Sequence, residues 1–107
     1  MGLTHFDCDA DPIAVSTFLS VHGYAIVDDV ADTQLMDRLA NEVGPYVDAS
    51  AAGRDEYDGQ LTRRTGSLIE RCPASRELVM HPTVVDTVRH FLGHATAQQL
   101  HLTQLIS

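Results

Sequence analysis

Apolar residues along this chain recur with two different periods, and the changes of period mark out its elements. In "DPIAVSTFLSVHGY" Ala14, Val15, Phe18 and Leu19 fall on one helical face. Asp11 is placed to cap that helix, Pro12 suits its first position and Gly23 suits its end. A short strand follows from Tyr24 to Val27, ended by Asp28 and Asp29. Asp32 then introduces "TQLMDRLANEVGPYVDA", where Leu35, Met36, Leu39, Val43 and Val47 repeat at helical spacing. Gly44-Pro45 interrupts this run. Proline lacks the backbone donor and clashes with the preceding turn, so a kink or restart is expected there.

Residues 48–60 are small, charged and aperiodic, which predicts a flexible loop. "LTRRTGSLIER" has room for a short strand or turn around Gly66. Two helices follow, divided at His81-Pro82, with Pro73 and Pro82 at first helical positions. In the second, Val84, Val85, Val88, Phe91 and Leu92 face one way and Gly93 ends the helix. The last ten residues alternate strictly, with Leu100, Leu102, Gln104 and Ile106 on one face of a predicted strand over 98–107.

These elements are unbalanced. Several helices offer apolar faces, yet two clear strands stand against them, and a two-stranded sheet is marginal by itself. An unpaired terminal strand with apolar side chains is an exposed, adhesive edge. The expectation is α+β, a single partial domain over 1–107 that forms the front of something larger.

Composition narrows the partners. The chain has 107 residues, and 44% hydrophobic content supports a packed core. A formal charge of −8 argues against nucleic-acid phosphates and against an anionic membrane surface. Cys8 and Cys72 lack any metal-ligand spacing and are read as free thiols of a reducing compartment. There is no basic, apolar leader at the N-terminus and no run of apolar residues long enough to span a bilayer. A cytoplasmic location is expected.

"HGYAIVDDVADTQLMDRLANEV" resembles the opening of the phytanoyl-CoA dioxygenase family, in which a glycine-hydrophobic strand leads through an acidic link into an amphipathic helix. The resemblance continues at "RRTGSLIERCPASRELVMHPTVVDTVRHFLG" and "QLHLTQLIS", so it covers about residues 16 to 107 and is least close over 48–60. It implies the N-terminal helical and first-strand portion of a double-stranded β-helix, or jelly roll. It further implies an oxygenase that uses Fe(II) and 2-oxoglutarate to hydroxylate a small-molecule or acyl substrate. In such enzymes a His-x-Asp pair and a distal His hold the iron on one face, and an arginine pairs with the far carboxylate of 2-oxoglutarate. The family's His-x-Asp pair follows the strand matching "QLHLTQLIS". These 107 residues stop short of it, and the chain is expected to be inactive alone.

His5-Phe6-Asp7 is literally His-x-Asp, but it precedes every matching segment, at an end where chains are loose, and is read as coincidence. His90 and His94 have i, i+4 spacing, but Gly93 divides them and no third ligand joins them, so with His81 they are read as surface or helix-end histidines. Arg63-Arg64 either grips an anionic cofactor or thioester, or pairs in a solvated turn with Asp55, Glu56 and Asp58, the reading we prefer. Asp28-Asp29 is read as a strand end and turn rather than paired catalytic carboxylates.

Gln104 is the polar side chain on an otherwise apolar strand face, so it is the candidate for cofactor contact; the competing reading is a structural hydrogen bond or an outward-facing amide. His101 and Thr103 lie on the other face and are weaker candidates. A different class of function also stands: a non-catalytic interaction module that binds a partner, or oligomerises, through its C-terminal strand.

Overall fold

The computed structural model describes residues 2–53 and 59–107. In chain order the elements are β1 (His5–Phe6), α1 (Pro12–His22), β2 (Ile26–Val27), α2 (Thr33–Ala49), β3 (Arg64–Gly66), α3 (Leu68–Arg71), α4 (Pro73–Val79), α5 (Pro82–Phe91) and β4 (Gln104–Ile106). Helices and two small sheets make the architecture α+β. They fall into two compact units. One comprises Met1–Asp32 with Leu78–Gln99, the other Thr33–Glu77 with Leu100–Ser107.

In the first unit α1 packs on α5. Asp11 caps α1 as its residue type predicts, its carboxylate accepting the Ile13 N–H at 3.0 Å. Gly23 ends the helix in the left-handed region at φ 78°, where a Cβ would be strained, and its N–H reaches the Leu19 carbonyl at 2.8 Å. The strand expected from Tyr24 shrinks to Ile26–Val27 and pairs in parallel with His5–Phe6, which no periodicity announced. Phe18 on α1 stands edge-on to both Phe6 and Tyr24 at 5.3 Å, so one ring pins the sheet to the helix. α5 begins at Pro82, and the His81 Nδ1 accepts the Thr83 N–H at 3.2 Å. His81 is therefore a helix cap, a role usually held by Ser, Thr, Asp or Asn.

The second unit holds the buried cluster of Val43, Cys72 and Ala74, with Leu35, Leu39, Val47, Leu68 and Leu105 packed against it. Of the kink or restart expected at Gly44-Pro45, the restart does not occur: α2 runs from Thr33 to Ala49 with Pro45 inside it. Leu39 and Val43 before the proline and Val47 after it pack on the same cluster, which holds both halves in one helix. α3 was not foreseen. It starts at Ser67, a non-glycine residue with φ 56°, and its Leu68 N–H is satisfied by the Thr103 hydroxyl at 3.0 Å.

The final strand is also shorter than its alternation predicts. Of residues 98–107, Gln104–Ile106 are in β4, which pairs antiparallel with β3. The expected flexible loop is described at its ends: 48 and 49 belong to α2, and Ala52 bridges Arg63. Its residues 54–58 lie outside the described residues.

Candidate functional site

The β3–β4 ladder of the second unit carries Gln104. Its register sets Arg64 opposite Ile106, Thr65 opposite Leu105 and Gly66 opposite Gln104. Paired amide and carbonyl groups of Arg63 and Ser107, at 2.7 and 2.9 Å, extend the ladder by one rung. Side chains alternate across a strand, so opposite residues share a face. Thr65 and Leu105 point inward. Thr65 is buried and joined to the Ser50 hydroxyl at 2.8 Å, and Leu105 packs on the core cluster. Arg64, Gln104 and Ile106 lie outward and exposed.

Of the readings left open for this strand, the outward-facing amide is the one adopted here. The set Leu100, Leu102, Gln104 and Ile106 is the exposed one, with Leu102 at 66% and Ile106 at 58%. The parity is decided by Leu105, whose inward contact is with residues distant in sequence. Two of the side chains set apart by the sequence, Arg64 and Gln104, thus share one open face, with no side chain on Gly66 between them. The Gln104 amide can donate to a carbonyl group, or donate to and accept from a carboxylic acid. The acids proposed to pair with Arg63 and Arg64 lie outside the described residues. Thr103, the weaker candidate on the other face, is committed to capping α3. His101 is exposed.

The same unit holds a contact between the half-buried Glu42 carboxylate and the buried Cys72 thiol. Glu42 accepts the Ala74 N–H at 2.7 Å and the Cys72 thiol at 3.4 Å. Cys72 is 1% exposed. Burial pushes its thiol pKa up, and the Glu42 carboxylate adds to the rise against opposing backbone hydrogen bonds from Ser75 and Ala74. A protonated, enclosed thiol is a poor nucleophile, so Cys72 serves the core. Glu42 was missed from the sequence. The signal was its spacing, since Leu35, Leu39 and Glu42 follow i, i+4, i+7 and place the acid on the buried side of α2.

In the first unit, His5 Nδ1 meets Asp28 Oδ1 at 2.8 Å. The literal His-x-Asp is thus passed over, and His5 pairs with a residue of the acidic turn instead. Asp29 turns the chain at φ 57°, as a strand-ending residue would. An apolar cleft of about 210 Å³ lies among Val15, Leu19, Val27, Val30 and Val84, with the unpartnered Thr87 hydroxyl at its wall. His90 ends near the last turn of α5 and His94 lies past it, both exposed, so they do not form a helical ligand pair.

The profile of the phytanoyl-CoA dioxygenase (PhyH) family matches residues 19–107. The chain belongs to that family. No curated protein and no solved structure gives a significant match. The PhyH match begins within α1 and runs through both ladder strands, so it includes Arg64, Gln104 and Glu42 and leaves out His5. PhyH enzymes are dioxygenases that in general depend on Fe(II) and 2-oxoglutarate. The residues here do not fit the iron by themselves: among the described residues no three His, Cys, Asp or Glu side chains converge on one point. No helix among the described residues is long and apolar enough to cross a membrane.

Proposed function

We propose that this chain is the N-terminal, helix-rich part of a PhyH-type oxygenase with a double-stranded β-helix, which hydroxylates a small-molecule or acyl substrate using Fe(II) and 2-oxoglutarate. The observation that carries this reading is the family match over residues 19–107. The helices serve as the outer support of the barrel, and the β3–β4 ladder is its first pair of strands. The His-x-Asp and distal His ligands come from sequence other than these 107 residues. The ladder has what such a role requires: backbone pairing already made on one side, and Leu100, Leu102 and Ile106 exposed beside Gln104. Gln104, with Arg64 on the same face, is the residue we assign to contact with 2-oxoglutarate or substrate. The free thiols Cys8 and Cys72 suit a reducing compartment, and we place the protein in the cytoplasm.

The test is succinate formation. The purified 107-residue chain, supplied with Fe(II), 2-oxoglutarate and oxygen, is expected to release no succinate above a metal-free control. Iron-dependent succinate release by this chain alone overturns the assignment of the ligands elsewhere.

The exposed apolar residues leading into β4 support a second reading, a module that adds a partner's strand at that edge. A stable oligomer in which the Gln104–Ile106 amides resist hydrogen exchange beyond their pairing with β3 favours it.

A further inference from the structure

We draw no further inference here: the strongest candidate, the apolar cleft between α1, β2 and α5 in the first unit, has nothing in the structure to show what covers it, and its unpartnered Thr87 hydroxyl belongs to a side chain that is itself partly open to solvent.

Discussion

Cys72 and His81 show how individual side chains hold this fold at places where their residue types suggest something else. The Cys72 thiol is enclosed and hydrogen-bonded to Glu42, whereas Cys8 is partly exposed. A thiol reagent is therefore expected to modify Cys8 in the folded protein and Cys72 after unfolding, as peptide mapping by mass spectrometry will show. Equal labelling of both without denaturant contradicts the buried contact. The same burial links stability to pH. A folded thiol pKa above the unfolded one means that its contribution is complete below about pH 9, the ordinary value, and is lost as pH rises through the folded value. Urea midpoints are expected to fall on that alkaline side, and Cys72→Ala is expected to flatten that part of the decline. His81 acts through its ring nitrogen on the Thr83 N–H. Replacing it with Ala is expected to lower stability by about 1 kcal/mol, and His81→Asn to recover most of that, because an Asn side chain can accept the same bond.

At the scale of elements, what was legible was what is local. Asp11, Pro12 and Gly23 bracket α1 because a cap, a fixed φ and a left-handed terminus each depend on neighbours a few residues away. Pro73 and Pro82 open α4 and α5 for the same reason. What was not legible depends on distant partners. His5–Phe6 has no period to read and becomes a strand by pairing with Ile26–Val27. Pro45 is carried within α2 by tertiary contacts on either side, which outweigh a local penalty of about 3 kcal/mol.

The terminal strand shows the same limit most clearly. Its alternation marks two faces, but which face is inward is set by Leu105 meeting the cluster around Val43 and Cys72. A one-residue shift exchanges the faces completely. Leu105→Ala is accordingly expected to lower stability by about 2 kcal/mol, and Gln104→Ala to change it by no more than about 0.5 kcal/mol. The opposite ranking in a urea titration would put Gln104 rather than Leu105 on the inward face.

At the scale of the whole molecule, each of the two units buries few hydrophobic side chains among its described residues. Val15 lies in the first, and Val43, Cys72 and Ala74 in the second. Large apolar residues including Leu61, Met80, Phe91 and Leu102 remain exposed. The double-stranded β-helix proposed above would need more strands than the two short ladders of the described residues supply. The candidate site was legible in part. Gln104 stood out as the polar exception on its face, while its alignment with Arg64 depended on a register no local pattern encodes.

The intact mass of the native protein in its source cells separates the oxygenase part from the free-standing module. If the proposed oxygenase reading holds, the mass is well above the 11.7 kDa of these residues and the added sequence carries the His-x-Asp pair. A mass of 11.7 kDa would contradict it. The family relationship would then describe descent, and the partner of the β4 edge would become the functional question.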